Sequence, residues 1–406
     1  MLLAALAACA VLALLLPVGG QPDEHEHLQA LRWFTANGWP PPIDADGVGY
    51  SAYGTSRVYT GEWSYWLRGR LAAFGAALDP ALASPRALRL HGLLALALTL
   101  APLLFWPAPG LRLDLAAVFL VTVPQVLWSF AYLNGDAWTI AAATLLLRAA
   151  LAIHQGEGGD RRLWLAFGAA LGLVAGVKIN GWVIVPFALA LAGSGWWRSA
   201  PRRLGPLVAA GLVALALAAP LRIVYPLTQP GSHSAALSAM RSHRAEPRFD
   251  PRLPTAPGFR LRERGEPLSA VAARADWWLR SAASSYAMWG PMTLRPPLAL
   301  PLAAAGLWIG LTILNLRRLA PRDPRRWLAA GAALAVAALV AASLYHSWSN
   351  DYQPQGRYLF PALAPLALLV CGFDRPSERL RTALLVVLAG LGAASIVLLL
   401  RASVPS

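Results

Sequence analysis

The sequence predicts an all-α, polytopic integral membrane protein. Hydrophobic residues make up 57% of its 406 residues and charged residues only 14%, and the mean hydropathy is +0.49. A water-exposed surface needs far more charge than this. The apolar residues are also grouped into stretches of roughly 20 residues, which is the length that an α-helix needs to cross a bilayer. These observations exclude an ordinary soluble domain.

About eleven such stretches follow one another, and we interpret residues 1–406 as a single transmembrane domain. Residues 161–203 are divided into two short helices with a break at 178–181, because one helix rising about 1.5 Å per residue would overshoot a core roughly 30 Å thick. The predicted spans lie near residues 2–18, 88–106, 113–132, 137–153, 163–177, 181–196, 204–224, 298–316, 327–346, 358–371 and 382–400.

The arginines predict the orientation of these spans and exclude another class of function. The net charge of +15 would suit nucleic-acid binding, but the arginines form short clusters between apolar stretches instead of one basic face. Cytoplasmic loops are rich in Lys and Arg. We therefore place the protein in the inner membrane with its N-terminus in the cytoplasm. In this orientation every short Arg-rich loop lies on the cytoplasmic side. These loops are residues 112, 161–162, 198–203, 317–326 and 375–381.

Two long segments are then predicted on the non-cytoplasmic side, residues 19–87 and 225–297. The first contains plausible amphipathic helices at residues 28–34 and 62–71, which we expect to lie along the membrane surface. The second is rich in Arg and Pro and regains helical character across residues 276–289. Membrane lipids are therefore expected partners of both the spans and the surface helices.

Four polar features fall at the outer ends of the predicted helices, so they share one face of the membrane. They are, in chain order, Asp23 and Glu24 after the first helix, Asn134 and Asp136 between the third and fourth, Lys178 at the end of the fifth, and Asp351, Tyr352, Gln355, Arg357 and Tyr358 between the ninth and tenth.

Asp23, Glu24 and Asp136 are the candidate catalytic groups. Paired carboxylates act as a general base or bind a divalent metal such as Mg²⁺ or Mn²⁺ through oxygen, and His25 or His27 would complete such a metal site. Other interpretations stay open. An acidic cluster just outside a helix is also typical of a solvated boundary, and residues 134–136 are also typical of a tight turn.

Lys178 and Arg357 are the candidates for binding a phosphate. Lys178 is the single lysine among 35 Lys and Arg residues, and it offers a compact ammonium group. Arg357 offers a planar fork of donors beside the Gln355 amide and the Tyr358 phenol. The alternatives are a lysine that extends to the interface and an arginine that anchors a helix start there.

Further residues are candidates for lining a substrate pocket, although Tyr and Arg are common at membrane interfaces. Three of them belong to the first long segment and the others to the polar features above. They are Arg57, Tyr59 and Glu62, together with His27, Asn134, Asp351 and Tyr352.

Several of these residues also form a pattern that resembles a known family. The pattern comprises Pro22-Asp23-Glu24 with His27, Asn134-Gly135-Asp136, residues 172–178, Trp289-Gly290 and Gln355-Gly356-Arg357-Tyr358-Leu359-Phe360-Pro361. It resembles a family of uncharacterised bacterial polytopic membrane proteins, which is similar to GT-C glycosyltransferases such as the aminoarabinose transferase of lipid A and the protein O-mannosyltransferases. The Gln-Gly-Arg-Tyr part is the most specific. Gly135 stands where that family usually has a bulkier residue.

The resemblance implies a GT-C-like helical bundle and a glycosyltransferase. Its partners would be a polyprenyl-phosphate-linked sugar donor and an acceptor in the cell envelope, which is a lipid, a glycan or a protein. By the same resemblance, Asp23 would deprotonate the acceptor hydroxyl, and Glu24 and Asp136 would assist or bind a metal. Lys178 and Arg357 would hold the lipid phosphate and lower the free-energy cost of its charge as the sugar leaves.

Two other functions remain open from the sequence. A transporter or flippase for an anionic, lipid-linked precursor would use the same cations, but it should place ionisable residues near mid-membrane on broken helices in both halves. A scaffold for envelope assembly needs no site, and it would leave the four polar features far apart. The distances among Asp23, Asp136, Lys178 and Arg357 therefore discriminate between the enzyme and the scaffold.

Overall fold

The computed structural model is built from helices joined by turns, and its β structure is limited to isolated bridges within the part of the chain that it describes. Arg202, Arg203, Arg318 and Arg375, which contribute to the predicted orientation, lie outside this part. The described residues are 2–157, 160–198, 204–250, 260–290, 292–317, 319–373 and 378–403.

Nineteen α-helices lie within these ranges. They are α1 Leu2–Leu15, α2 Glu24–Ala36, α3 Trp63–Leu78, α4 Pro85–Arg89, α5 His91–Phe105, α6 Leu113–Thr122, α7 Pro124–Ala131, α8 Asp136–Ala152, α9 Arg161–Ala175, α10 Val185–Arg198, α11 Leu204–Ala219, α12 Tyr225–Leu227, α13 His233–Arg244, α14 Leu268–Ala272, α15 Ala275–Tyr286, α16 Ala299–Leu316, α17 Arg325–Ser349, α18 Leu363–Ala367 and α19 Glu378–Ser403. Short 3₁₀ segments at Ile179–Ile184 and Gly356–Ala362 interrupt the bundle near the site described below.

Seven stretches of the described chain are helical, long and apolar enough to cross a membrane, which confirms the multi-pass α-helical fold. Helices α6 and α7 form a pair bent by 78°, and they make an eighth span if the pair is counted as one. The seven stretches are Pro85–Phe105, Asp136–Gly156, Ile179–Arg198, Leu204–Leu227, Ala299–Leu316, Arg325–Ser349 and Thr382–Ala402.

The smaller number of full spans comes from helix length and from proline. Each of the eleven predicted stretches contains helix, but α1 has only 14 residues and α9 only 15. Pro124 starts a new helix immediately after α6, and Pro361 lies in the 3₁₀ segment that precedes α18. Proline lacks the N–H that a continuous helix requires. The apolar pattern therefore locates the helices, whereas helix length and the prolines at 124 and 361 account for the stretches that are not full spans.

Helix α8 is the centre of the bundle. Sixteen of its 17 residues are buried, and it packs against α5, α9 and α10. A helix that is apolar on every side is expected at such a position. Helix α11 lies at the opposite extreme, since only 11% of its span is buried. Because α8 begins at Asp136, the first turn of the central helix carries an ionisable side chain into the protein interior.

A second, smaller hydrophobic core forms in the first long segment. Leu31 and Phe34 of α2 are 0% and 2% exposed and face α3, where Gly69 lets the helices approach closely. A methyl group at Gly69 would lie 2.4 Å from the Cβ atom of Phe34. Tyr225 and Met240 of the second long segment join the same core. The two predicted amphipathic helices are therefore packed on each other and on the second segment.

A buried ion pair anchors the turn that connects α1 to α2. The Glu24 carboxylate is 1% exposed and the Arg89 guanidinium 0%, and two N–O distances between them are 2.7 Å. Glu24 also accepts hydrogen bonds from the backbone N–H groups of Gly19 and Leu133. Arg89 donates in turn to the carbonyl of Leu16 at 2.6 Å. The turn that carries Asp23 is thus held in place by Glu24, the next residue in the sequence.

Breaking this pair should destabilise the whole fold. In Arg89→Ala the Glu24 carboxylate remains buried without its cation, so we expect the free energy of unfolding to fall by about 3–5 kcal/mol. Thermal unfolding in detergent measures the change. The control is Arg248→Ala, which removes an exposed ion pair with Glu246 and should leave the unfolding temperature unchanged. Equal shifts for the two variants would contradict the structural role of the pair.

Candidate functional site

Asp23 lies in the turn before α2 with a left-handed backbone, φ 56°. Its Oδ2 atom accepts hydrogen bonds from Arg357 at 3.2 Å and from Arg57 at 3.5 Å. Arg57 also lies 3.5 Å from the carboxylate of Glu26, whose pKa is raised by burial. Burial would raise the pKa of Asp23 as well, but Arg357, Arg57 and Lys178 hold it below its ordinary value. Asp23 is therefore an ionised carboxylate, and its side chain is 37% exposed.

Asp136 and Lys178 form a second ion pair. The distance from the Asp136 Oδ1 atom to the Lys178 Nζ atom is 2.8 Å, and the side chains are 2% and 14% exposed. The Oδ1 atom of Asn134 accepts hydrogen bonds from the backbone N–H groups of Asp136 and Ala137. Asn134 therefore caps α8 and orients Asp136. The second carboxylate oxygen of Asp136 is buried without a hydrogen-bond partner.

Lys178 lies in the predicted break, between the end of α9 at Ala175 and the start of α10 at Val185. Two carbonyl groups of the broken backbone accept hydrogen bonds from one arginine. Arg222 donates to the carbonyls of Ala175 at 3.0 Å and Val177 at 2.5 Å. Such satisfaction is required because an unpaired backbone group at membrane depth is costly. Arg222 therefore holds the backbone on which Lys178 stands.

Arg357 stands at the start of the 3₁₀ segment Gly356–Ala362, and its side chain is 5% exposed. Its Nε atom donates to the Gln355 side-chain oxygen at 2.7 Å, and its Nη1 atom lies 3.4 Å from the Tyr132 hydroxyl. The guanidinium carbon lies 5.5 Å from the ring centre of Tyr358. The Tyr358 hydroxyl donates to Gln353. The Gln-Gly-Arg-Tyr residues therefore orient one guanidinium towards Asp23.

Glu62 connects the two ion pairs to the first long segment. A methyl group on Gly135 would lie 2.7 Å from the Oε2 atom of Glu62 and 3.0 Å from the Lys178 Cε atom. Gly135 has an ordinary backbone conformation, so it is required for space. Glu62 is buried and its Oε2 atom has no hydrogen-bond partner. Burial raises the pKa of Glu62, while Lys178, Arg57 and Arg222 act in the opposite direction.

His27 is buried beside these groups. Its Nδ1 atom lies 2.5 Å from the Tyr65 hydroxyl, and the two rings are stacked with centres 5.7 Å apart. Burial, with the charges of Arg57 and Lys178, holds the pKa of His27 well below its ordinary value, so the imidazole is neutral. Its Nε2 atom has no hydrogen-bond partner. His27 thus adds a neutral group, and not another cation.

The four residues that discriminate between the hypotheses come together in the structure. Asp23 contacts Arg357, Asp136 contacts Lys178, and Lys178 is close enough to lower the pKa of Asp23. We refer to these four residues together with Glu62 as the polar cluster. Separate features of a scaffold would not show these contacts.

Other predicted site residues contact neighbours outside the polar cluster. Glu24 accepts hydrogen bonds from Arg89 and from two backbone N–H groups, and its role as a catalytic group stays a prediction from the sequence. The Tyr59 hydroxyl bonds to backbone groups within its own segment. Asp351 accepts from the Tyr53 hydroxyl at 2.7 Å, and Tyr352 donates to Asp276 at 2.8 Å. These three side chains are directed to neighbours outside the polar cluster.

The expected metal ligands do not converge. Within the described part of the chain, no three His, Cys, Asp or Glu side chains are arranged to share one ion. Among the residues expected to bind a metal, Glu24 is saturated by Arg89, Asp136 is paired with Lys178, and the Nδ1 atom of His27 faces a tyrosine hydroxyl. These three side chains, as they are arranged here, do not fit a divalent metal. Metal dependence stays a prediction from the sequence, and no step below uses a metal.

Sequence reasoning missed several residues that support the site. Arg89 and Arg222 each satisfy buried oxygens, and Tyr132 contacts Arg357. Arg68 of α3 is 1% exposed and donates to the carbonyl of Asn134 at 3.1 Å; burial lowers its pKa to about 10. The signal for Arg222 was an arginine inside an apolar stretch, because such residues are rare and usually have a task.

Comparison with known proteins finds one family model and similar solved structures. A family model described as "Predicted membrane protein (DUF2142)" matches residues 79–246. The crystal structure of ArnT from Cupriavidus metallidurans bound to undecaprenyl phosphate is similar, with a TM-score of 0.50 and 17% identity over 91% of this chain and 58% of that chain. The apo oligosaccharyltransferase of Archaeoglobus fulgidus aligns with a TM-score of 0.45 and 14% identity, over 99% of this chain and 56% of that chain.

These findings define the protein class at the level of fold. The bundle is GT-C-like, as the likeness to ArnT shows. The chain spans only 58% of the length of that ArnT structure. No curated protein matches the sequence.

Gly135→Ala tests the close packing of the polar cluster. The added methyl group must displace Glu62 or Lys178, and we expect it to lower the free energy of unfolding by about 1–3 kcal/mol, as overpacking does. The loss should be smaller in a Glu62→Ala background, because the nearest clashing atom is absent. Thermal unfolding of the single and double variants in detergent measures this coupling.

The control for that experiment is Gly193→Ala in α10, where no atom lies within 4 Å of the added methyl group. It should not reduce stability, since alanine favours a helix over glycine. If Gly135→Ala destabilises the protein equally with and without Glu62, the packing described here is wrong.

Proposed function

We propose that the protein is a membrane glycosyltransferase that moves a sugar from a polyprenyl-phosphate donor to an acceptor in the cell envelope. The observation that carries this proposal is the meeting of a partly exposed carboxylate, Asp23, with two cations, the buried Arg357 and the largely buried Lys178. Glycosyl transfer needs a base for the acceptor hydroxyl and positive charge for the departing phosphate. The polar cluster offers both.

The charge balance of the site favours an anionic ligand. Three cations, Arg57, Lys178 and Arg357, face the carboxylates of Asp23 and Asp136. Burial raises the pKa values of the neighbouring Glu26 and Glu62, which favours their neutral forms. The excess of positive charge supports phosphate binding between Lys178 and Arg357.

An apolar groove beside the Gln-Gly-Arg-Tyr segment supports a lipid-linked donor. Its volume is about 460 Å³, and its wall includes Leu359 and Phe360, which follow Arg357 closely in the chain. Trp308 and other apolar side chains of α15 and α16 complete it, and Arg280 and Arg295 are its charged lining residues. A prenyl chain suits such a groove, because its affinity would come from apolar burial. The ArnT structure is that of a protein bound to undecaprenyl phosphate, which supports this choice of lipid.

The reaction would proceed as follows. Asp23 accepts the proton of the acceptor hydroxyl, whose oxygen attacks the anomeric carbon of the sugar. The bond from that carbon to the phosphate oxygen breaks, and polyprenyl phosphate leaves with its new charge facing Arg357 and Lys178. Because the same cations hold down the pKa of Asp23 in the free protein, a phosphate that engages them would also make Asp23 a stronger base.

Two substitutions test these roles separately. Asp23→Asn removes the base, and we expect kcat to fall by about 10²–10⁴ with little change in donor binding. Arg357→Ala removes a phosphate ligand and should weaken binding of the donor as well as lower kcat. Sugar incorporation from a polyprenyl-phosphate donor, followed in detergent or proteoliposomes, measures both effects.

Matched controls are Asp276→Asn and Arg248→Ala, which change the same residue types outside the polar cluster and should retain wild-type rates. Full activity of Asp23→Asn and of Arg357→Ala would refute the site. Movement of the lipid across the bilayer without sugar transfer would instead favour the transporter or flippase.

The orientation is proposed from the positive-inside rule, which places the polar cluster on the non-cytoplasmic face of the inner membrane. Both native cysteines are buried and can be replaced. In that background, a membrane-impermeant maleimide added to spheroplasts should label Ser234→Cys in α13 but not Asp160→Cys before α9. Both positions are exposed in the fold. Labelling with the reverse preference would invert the proposed topology.

A further inference from the structure

A second pocket lies on the first long segment, apart from the apolar groove. It opens between α2 and the loop that follows, and its volume is about 530 Å³, within the range of small-ligand sites. Gln29, Arg32, Trp33 and Asn37 of the helix and its end form one wall, and the backbone of residues 47–49 forms the other. The function proposed above does not use this pocket.

The chemistry of the pocket suits a sugar. Trp33 presents a partly exposed ring, which is fixed because its Nε1 atom donates to the carbonyl of Trp39 at 3.1 Å. A rigid aromatic face can stack on the apolar C–H face of a sugar ring. Gln29, Arg32 and Asn37 are exposed around that ring, and their amide and guanidinium groups can hydrogen-bond to hydroxyl groups.

The charge of the pocket favours an acidic sugar. Arg32 is the charged member among the described residues that line it, and none of those residues is Asp or Glu. A guanidinium binds carboxylate and phosphate groups through two parallel hydrogen bonds. The pocket therefore discriminates between acidic and neutral sugar chains by one side chain.

The position of the pocket relates it to Asp23. Helix α2 starts immediately after Asp23 and runs to the pocket, and its buried Leu31 and Phe34 hold it firmly against α3. At about 1.5 Å per residue, Gln29 lies roughly 9 Å and Asn37 roughly 21 Å from Asp23 along the helix. A ligand that occupies the pocket and also reaches Asp23 must be extended.

We propose that this pocket binds an acidic oligosaccharide portion of the acceptor and directs its terminal hydroxyl group along α2 to Asp23. The role as an acceptor site rests on the proposed glycosyl transfer, whereas the binding of an acidic sugar chain does not. The acceptor would then be a glycan, or a glycan-bearing lipid or protein.

Isothermal titration calorimetry with the full-length protein in detergent tests the binding. The probes are linear oligosaccharides that carry uronic acids, the same chains with phosphate groups in their place, and neutral chains of equal length. Acidic chains should bind more tightly than neutral ones. Preference for the phosphorylated over the uronic chains would identify the anionic group, and failure of all three to bind would refute the proposal.

Substitutions at two residues of the pocket test whether the sugar chains bind there. Trp33→Ala should weaken the affinity for every chain that binds by about tenfold, and Arg32→Gln should weaken only that for acidic chains. The control is Trp278→Ala, an exposed tryptophan of α15 that does not line the pocket and should bind as the wild type does. Equal affinities for Trp33→Ala and Trp278→Ala would overturn the proposal.

Asp23→Asn separates this inference from the proposed function. It should bind the acidic chains with wild-type affinity while it fails to transfer sugar. Binding that depends on Trp33, in a protein that transfers no sugar under any condition, would refute the glycosyltransferase but not the pocket. Sugar transfer to long acidic acceptors with an unchanged KM in Trp33→Ala would refute the pocket but not the enzyme.

Discussion

The contact between Asp23 and Arg357 joins two residues 334 positions apart, and the site depends on it. It brings the turn after α1 against the segment after α17. The guanidinium has two functions in this position. It keeps Asp23 ionised in the free protein, and it is available to a phosphate, because a phosphate competes with a carboxylate for the same fork of donors. A ligand that takes this cation changes the basicity of Asp23 at the same time.

Several buried charges exist to hold that contact in place. Glu24 and Arg89 fix the turn on one side of Asp23, and Arg222 satisfies the broken backbone beside Lys178. Asn134 caps α8 so that Asp136 faces Lys178. Leaving any of these groups unpaired in the interior carries a large free-energy penalty. The positions of Asp23, Asp136 and Lys178 are therefore held by the hydrogen bonds of the residues around them.

The sequence was sufficient to predict the helices, because they follow from local patterns. Apolar length located the spans, and the proline at 124 explains why one of them is bent. The sequence could not separate Asp23 from Glu24, which are adjacent. Their surroundings differ because Glu24 pairs with Arg89, whereas Asp23 pairs with Arg357. Such a distinction depends on side-chain direction and on long-range partners, which no local pattern contains.

The same limit applies to Glu62 and Gly135. The sequence identified Gly135 as a departure from the family pattern, and the structure shows that Glu62 and Lys178 fill the space a side chain would need. The raised pKa of Glu62 likewise arises from burial, which becomes visible only when α3 and α8 are packed. Residue types were thus predictable, whereas the burial and the contacts of each side chain were not.

The most direct test of the account is an experimental structure of the protein with polyprenyl phosphate. We expect the phosphate group in contact with both Arg357 and Lys178, the prenyl chain along Leu359 and Phe360, and Asp23 released from Arg357. A phosphate bound elsewhere, with the Asp23–Arg357 and Asp136–Lys178 pairs both intact, would contradict the proposed site.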